Sequence, residues 1–195
     1  MRRRLSPERR REEILDVARR VIDEEGFAAL TLRGIARRCD MSAPGLMHHF
    51  PTLEDLLEAV LERRDTEDVL FLKAQLGPDT GLLELIDQAM RYYDERIDEA
   101  HRFDALELEA LDPSHPAHDY FERRRGQVLE RLRPVVEQEF DDPEAVMALL
   151  RAVMVGMRVA PPTGSGLASG WAPIRRALAS LPRKQGPTSG GNGAG

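Results

Sequence analysis

The chain has 195 residues and a mass of 22.0 kDa, enough for a substantial core and for a small domain joined to a larger one. With 42% hydrophobic and 32% charged residues, its composition excludes a membrane span of about 20 apolar residues, and the N-terminus lacks the apolar segment of a secretory signal. A single cysteine, Cys39, excludes an intrachain disulfide and a cysteine-built zinc site, so we expect a cytoplasmic protein in which Cys39 is a small buried residue.

The net charge of −6 is unevenly distributed along the chain. Residues 1–50 contain 11 Arg and 8 acidic residues, a balance of +3, whereas the remainder has a balance of −9. Phosphate neutralisation supplies most of the non-specific affinity for DNA, but only the part of a protein that approaches the duplex has to be basic. The pattern is therefore compatible with a basic DNA-binding head on an acidic body.

The first fifty residues predict one longer helix followed by two short ones. Apolar residues at helical spacing predict a helix from Pro7 to Glu25, which Gly26 ends as a left-handed C-cap. Thr31 and Ser42 are suitable N-caps for helices over Thr31–Cys39 and Ser42–Phe50, separated by the turn Asp40–Met41.

These two short helices have the spacing of a helix-turn-helix, in which the N-terminal residues of the second helix contact base edges in the major groove. The side chains expected to face inward are those of Leu32, Ile35, Ala36, Leu46 and Phe50. Those left outside are Arg33, Arg37, Ala43, Pro44, Gly45, Met47, His48 and His49. Spacing alone fits a plain three-helix cluster with solvated arginines equally well.

The rest of the chain predicts further helices, and no segment shows the alternation of a half-buried strand. Thr52 and Asp55 approximate a capping box at the start of the fourth helix. The expected helices are Thr52 to Gln75, Leu82 to Ala100, Arg102 to Leu111, Ala117 to Glu139 with a kink or interruption at Pro134, Pro143 to Val159, and Trp171 to Leu181. Pro161 to Gly166 is expected to be a loop and Gly186 to Gly195 a disordered tail. The fold class is therefore all-α, with about nine helices.

Enzyme and metal-site motifs are not found in the sequence. There is no Gly-rich phosphate loop after a strand, no nucleophile elbow and no evident acid–base constellation. A helical pair of carboxylates such as Glu107 and Glu109 is interpreted as solvated surface. The spacing of His101, His115 and His118 with Asp104 is unspecific, so we expect no metal and no cofactor.

Residues 12–61 resemble the N-terminal domain of TetR (tetracycline repressor) family regulators in order and spacing. The matching features are Gly-Phe after helix one, Thr-Leu-x-x-Ile-Ala, Ser-x-x-Gly-Leu-x-x-His-Phe, and a leucine-rich fourth helix. The remainder is similar only in layout. The resemblance implies an arm and DNA-binding domain at 1–51, a helical effector-binding and dimerisation domain at 52–183, and a tail at 184–195. It also implies a cytoplasmic transcriptional regulator, a repressor by default, that is not an enzyme and is released from double-stranded DNA by a small effector.

The resemblance further implies which residues contact DNA. Ala43 and Pro44 are expected at base edges, and Gly45 is expected to allow close backbone approach. Phosphate contacts are implied for Thr31, Arg33, Ser42, His48, His49 and Thr52, with a surface residue that touches nothing as the alternative for each histidine. Met47 and Leu53 replace the Tyr and Lys of the family, so an adaptor that has lost DNA binding stays an alternative. An arm of Arg2, Arg3, Arg4, Arg9, Arg10 and Arg11 could compensate or could simply be solvated.

The same resemblance places a homodimer interface on the last two helices, about Glu144–Val159 and Trp171–Leu181. Apolar residues on both sides of the Val146 to Met157 helix agree with this, and burial within one chain is the alternative. Trp171 could anchor that interface. Candidate residues for a small apolar or amphipathic effector are Met90, Tyr93, Phe103, Leu106, Phe121, Met154 and Met157, which could also be plain core.

Overall fold

The computed structural model describes residues 6–75, 77, 79–159 and 167–184, and within them the chain is all-α, as predicted. The helices are α1 Pro7–Glu25, α2 Leu32–Arg38, α3 Ala43–Met47, α4 Leu53–Gln75, α5 Leu82–Asp94, α6 Ile97–Glu109, α7 His118–Glu139, α8 Pro143–Val159 and α9 Leu167–Ala179. In this described part, none of them is long and apolar enough to cross a bilayer. Three predicted features lie outside the described residues: Arg2 to Arg4 of the arm, the loop Pro161 to Gly166, and the tail Gly186 to Gly195.

The chain folds into two compact units. The first contains Met1–Gln75 and Arg96–Arg124, and the second contains Leu76–Glu95 and Arg125–Gly195. Packing therefore does not divide the chain at residue 51, because α4, α6 and the start of α7 share one hydrophobic cluster with α1, α2 and α3. The division at residue 51 between a DNA-binding and an effector-binding domain stays a prediction about function.

Helix ends follow the local sequence where a capping residue is present. The Ser6 hydroxyl accepts from the Arg9 amide at 3.3 Å, with Pro7 at the start of α1. Gly26 ends α1 at φ +82° and ψ 167°, outside the left-handed helical region predicted for its C-cap but in a backbone conformation that glycine adopts without strain. The capping box is present as predicted: Asp55 N donates to Thr52 Oγ1, and Thr52 N donates to Asp55 Oδ2, both at 3.0 Å.

Three predicted helix boundaries and one predicted interruption are corrected. The second short helix spans only Ala43–Met47, because His48 and His49 form a turn that carries Phe50 into the core. The break expected after Ala100 falls at Glu95–Arg96, where the chain passes from one compact unit to the other. Helix α7 continues through the exposed Pro134, where water can solvate the carbonyl that loses its amide partner. Helix α9 starts at Leu167 and not at Trp171.

The first unit buries several polar and charged side chains, among them Glu107, which was predicted to be solvated. Glu107 is 3% exposed and lies 3.9 Å from the Arg124 guanidinium, which corrects its interpretation as solvated. Arg124 Nε donates to Asp65 at 2.7 Å, and the Tyr120 hydroxyl donates to the same carboxylate at 2.5 Å. Burial, together with this carboxylate, raises the pKa of Tyr120. These contacts join α4, α6 and α7 within the unit.

The second unit has its own core of apolar side chains from α5, α7, α8 and α9. Trp171, considered above as an interface anchor, is 3% exposed within this core, and its indole donates to Asp87 Oδ1 at 2.6 Å. The segment after α9 pairs with the end of α7 through an isolated antiparallel bridge, Phe140 with Arg183. Glu139 strengthens this joint by accepting from Leu82 N at 2.6 Å and from Arg183 at 2.8 Å.

Candidate DNA-binding site

The turn between α2 and α3 is held by backbone hydrogen bonds and by one unusual residue. Met41 N donates to Ala36 O at 2.9 Å, which closes the end of α2. Asp40 has φ +52°, the left-handed region that aspartate tolerates better than most residues. The buried Cys39 lies beside it, as predicted, and burial raises the pKa of its thiol. The turn thus fixes α3 against α2.

Helix α3 presents an apolar surface to solvent. Leu46 and the following Phe50 are fully buried and anchor it, as expected. Pro44 is exposed and Met47 is 46% exposed, one helical turn apart on the same side. Ala43 is half-buried and packs against the core, so it is less available for contact than predicted. Gly45 is half-buried, and a Cβ there would lie 3.1 Å from Ser42 Oγ.

The three hydroxyl groups that are predicted to contact DNA differ in whether their O–H hydrogen is free to donate. Thr31 Oγ1 accepts from Gly34 N at 3.1 Å and Ser42 Oγ accepts from Gly45 N at 3.2 Å, so each cap keeps its O–H hydrogen for an outside acceptor. The Thr52 hydroxyl instead donates to Asp55 at 2.8 Å. It has to give up that bond before it can donate to a phosphate.

Two arginines of α2 lie beside α3 with unpaired charge. Arg33 and Arg37 are exposed, one turn apart, and line a surface hollow of about 460 Å³ together with Ser42 and Ala43. Neither has an ion pair among the described residues, whereas Arg38 pairs with Glu25 at 2.8 Å. Arg33 was predicted as a phosphate contact, whereas Arg37 was predicted only to face outward. Their spacing of four residues indicates that both lie on the same side of α2.

Part of the predicted arginine arm belongs to helix α1. Arg10 pairs with Glu13 at 2.5 Å, and Arg11 donates to His49 O at 3.0 Å. Both are helical residues with partners, which corrects their inclusion in a solvated arm. Arg9 is exposed on the same helix.

His48 and His49 form the turn at the C-terminal end of α3. His48 is exposed and His49 is half-buried, with their rings edge to face at a centroid distance of 5.8 Å. Partial burial, and then the positive charges of His48, Arg10 and Arg11, lower the pKa of His49 below its ordinary value of 6.5. Near neutral pH His49 is therefore uncharged in the free protein.

This lowered pKa predicts that DNA binding is linked to proton uptake. A phosphate near His49 would raise its pKa, so affinity for DNA should increase as the pH falls from about 8 to about 6. The stability contribution has the opposite trend: it is fully present above pH 6.5 and is lost as the pH falls, because the unfolded chain binds the proton more tightly. Titrations with the wild type and His49→Gln measure the effect. Equal pH dependence in the two proteins would contradict the linkage.

The predicted effector residues fall into two groups, one in each unit. Phe103, Leu106 and Phe121 are buried in the first core, where the Phe103 and Phe121 rings meet at 5.2 Å. The second unit contains the other four, all half-buried: Met90, Tyr93, Met154 and Met157. In the described part of the chain no group of three or more ligating side chains could hold a metal ion.

Comparison with known proteins relates the helix-turn-helix region to one family. Residues 14–60 match the model of the bacterial regulatory proteins of the tetR family. The DNA-binding region of this chain is therefore similar to that of TetR-family proteins. The proteins of that family are regulatory proteins, which agrees with the expectation of a regulator and not of an enzyme.

Two curated relatives of this chain are repressors. It is 37% identical to the HTH-type transcriptional repressor KstR2 of Mycolicibacterium smegmatis over 75 residues, which cover 38% of this chain and 36% of the relative. It is 30% identical to the HTH-type transcriptional repressor AcnR of Corynebacterium diphtheriae over 127 residues, 64% of each chain. The chain thus matches about a third and about two thirds of these relatives' lengths.

A solved structure of similar fold is a transcriptional regulator from Saccharomonospora viridis in complex with choline. The TM-score is 0.70 at 15% sequence identity, and the alignment covers 91% of this chain and all of the other. At that identity the likeness extends to the fold alone.

Proposed function

We propose that the protein is a sequence-specific transcriptional repressor that binds a pseudo-palindromic DNA operator as a homodimer, in the bacterial cytoplasm, and is released by a small effector. The observation that carries the proposal is the surface of the helix-turn-helix. Helix α3 exposes Pro44 and Met47 between the cap hydroxyls and the unpaired Arg33 and Arg37. Apolar groups for base edges with donors for phosphates are what such a motif needs.

The test is operator binding by a variant that adds positive charge to α3. An operator is first selected from random DNA with the wild type, and binding is then measured at fixed salt. Pro44→Arg should weaken specific binding at least about 10-fold through steric conflict at the base edges, although the extra charge favours phosphates. Pro113→Arg, at an exposed proline in the α6–α7 turn, adds the same charge elsewhere and should leave binding unchanged.

Removal of His48 from the same surface is the complementary test. His48→Ala should impair operator binding while the fold and the oligomeric state are retained, because the side chain is exposed. Unchanged affinity of both His48→Ala and Pro44→Arg would contradict α3 as the DNA-reading helix. If the wild type selects no sequence at all, the chain is a helical adaptor that has kept the fold and lost DNA binding.

Thymine methyl groups are the proposed partners of the exposed apolar side chains of α3. In the major groove only thymine offers an apolar group, and neither Pro44 nor Met47 has a hydrogen-bond donor to offer a base edge. Replacing single thymines of the operator with deoxyuridine removes only that methyl. We expect deoxyuridine at a contacted position to lower the affinity of the wild type about 3- to 10-fold. The same replacement should lower the affinity of Met47→Ala less. Equal affinity at every position would contradict methyl contact.

The dimer proposal rests on one exposed face of α8. That face is made of small and apolar residues, all exposed: Ala145, Ala148, Leu149, Ala152, Val155 and Gly156. The opposite face contains the buried Val146, Met147 and Leu150. Small side chains allow two helices to approach closely. A two-fold dimer would present two helix-turn-helix motifs, which matches the two half-sites of a pseudo-palindrome. Helix α9 is included because the resemblance places it in the interface.

The effector is proposed to be a small apolar or amphipathic molecule. Met90, Tyr93, Met154 and Met157 are half-buried, and flexible or aromatic side chains of this type adapt to varied ligands. Phe103, Leu106 and Phe121 are proposed as a second group, whose deep burial requires their unit to open. That a regulator of similar fold binds choline supports an amphipathic cation as a first candidate. Screening small molecules for release of the selected operator tests this.

A further inference from the structure

Arg11 joins the start of α1 to the end of α3. Its Nη1 donates to the carbonyl oxygen of His49 at 3.0 Å, across 38 residues of sequence. Its guanidinium also lies over the Phe50 ring, 4.1 Å from the ring centroid. The Phe50 side chain is fully buried, so the guanidinium covers the place where the chain re-enters the core. One side chain therefore contacts both residues that follow His48.

The end of α3 needs such a support because the helix is short. It has five residues, and a helix of that length is not stable by itself. Its N-terminal end is capped by Ser42, and His48 to Phe50 are tied back to it by backbone bonds to Pro44 and Leu46. The carbonyl of His49 lies beyond these bonds and accepts from Arg11. Without that bond the turn is held by these backbone bonds and by the burial of Phe50.

Arg11 has no carboxylate partner in the described part of the chain. Arg10, its neighbour, is paired with Glu13, and Arg63 pairs with Glu12 and Asp16. The guanidinium is thus directed to a neutral carbonyl and an aromatic ring instead of to an acid. Its geometry suits this role, since a planar fork can donate to a carbonyl and lie flat on a ring at the same time.

We propose that Arg11 is a positioning residue for DNA recognition, which fixes the turn His48–Phe50 and thereby the direction of Met47 and the two histidines towards the duplex. The proposal rests on the function proposed above, and it assigns Arg11 to sequence discrimination. A residue that only neutralised a phosphate would add to specific and non-specific binding alike.

The test compares Arg11→Met, Arg11→Lys and a charge control, Arg20→Met, which removes an exposed arginine elsewhere on α1. Affinities for the selected operator and for unrelated DNA are measured over a range of salt. Arg11→Met should lower operator affinity at least about 10-fold, the value expected for a charged hydrogen bond, and lower non-specific affinity much less. Arg11→Lys retains the charge but not the planar fork, so it should restore non-specific affinity and not the discrimination. Arg20→Met should leave the ratio of operator affinity to non-specific affinity unchanged.

A second measurement is independent of DNA. In the free protein the amide nitrogen of Phe50 belongs to the peptide group whose oxygen accepts from Arg11, so its NMR shift should change in Arg11→Met, while the melting temperature stays within a few degrees. Equal loss of specific and non-specific binding, with a salt slope lower by about one unit, identifies a phosphate contact and overturns the inference. Wild-type discrimination in Arg11→Met also overturns it. If the wild type itself binds no operator, the proposed function fails instead, and the Phe50 shift still tests the contact.

Discussion

Replacing Leu149 with glutamate should leave the protein monomeric and lower its affinity for a two-half-site operator by about 100-fold or more, the usual gain from linking two binding modules. Leu149 is 37% exposed on the apolar face of α8, whose other exposed residues are alanine, valine and glycine. In a dimer packed through this face, two glutamates would be buried near the two-fold axis. A buried unpaired charge costs more than such an interface can supply.

The controls for Leu149→Glu separate assembly from DNA contact. Arg151→Glu also places a carboxylate on an exposed position of α8, but at the polar edge beside Glu144, and should remain dimeric. Affinity for an isolated half-site should be equal in Leu149→Glu and wild type, because α3 is untouched. Sedimentation at micromolar protein concentration provides the measurement. A dimeric Leu149→Glu protein would mean that the contact between subunits lies on another surface.

Local sequence signals predicted the helical framework because they act over a few residues. Thr31, Ser42 and Thr52 all accept the capping bonds that were predicted for them. The same signals could not predict the break at Glu95–Arg96, since neither residue is a helix breaker. That break coincides with the change from one compact unit to the other, which is a property of the whole chain.

The candidate DNA surface could be predicted in outline but not in its detail. Apolar spacing placed Leu46 and Phe50 inside, and their burial determines which side of α3 remains for DNA. The support from Arg11 joins residues 38 positions apart, and no local pattern indicates which of six N-terminal arginines makes it. Leu53 shows the converse: it looked like a missing phosphate contact, and it packs against the first core.

Buried charge was the feature least accessible to sequence. A carboxylate such as Glu107 on an amphipathic helix is usually solvated, and its burial depends on Arg124 arriving from another helix. The same holds for Arg64, which is 7% exposed and lies 3.7 Å from the centre of the Phe103 ring. These residues are fixed by partners that are distant in sequence, so their role follows only from the fold.

Asp65→Ala should therefore destabilise the protein by about 2 kcal/mol, because a half-buried carboxylate that accepts charge-assisted hydrogen bonds is lost, while Glu107 stays 3.9 Å from the Arg124 guanidinium. Arg124 would lose its hydrogen bonds to both oxygens of Asp65, and the Tyr120 hydroxyl would lose its acceptor. Glu62→Ala removes an exposed carboxylate from the same helix and should change stability by less than about 0.5 kcal/mol. Urea unfolding of the three proteins measures the difference.

Adding Arg124→Met to Asp65→Ala separates two costs: the lost attraction between Asp65 and Arg124, and the charge of Arg124 without Asp65. If the guanidinium left without Asp65 is the main cost, the double variant should be more stable than Asp65→Ala alone. If Asp65→Ala is as stable as Glu62→Ala, water reaches Arg124 freely and the pair does not hold α4 to α7. A double variant less stable than Asp65→Ala would instead mean that Arg124 stabilises the unit mainly through its other neighbours, the buried Glu107 at 3.9 Å and the Phe103 ring, whose centre lies 4.7 Å from its guanidinium.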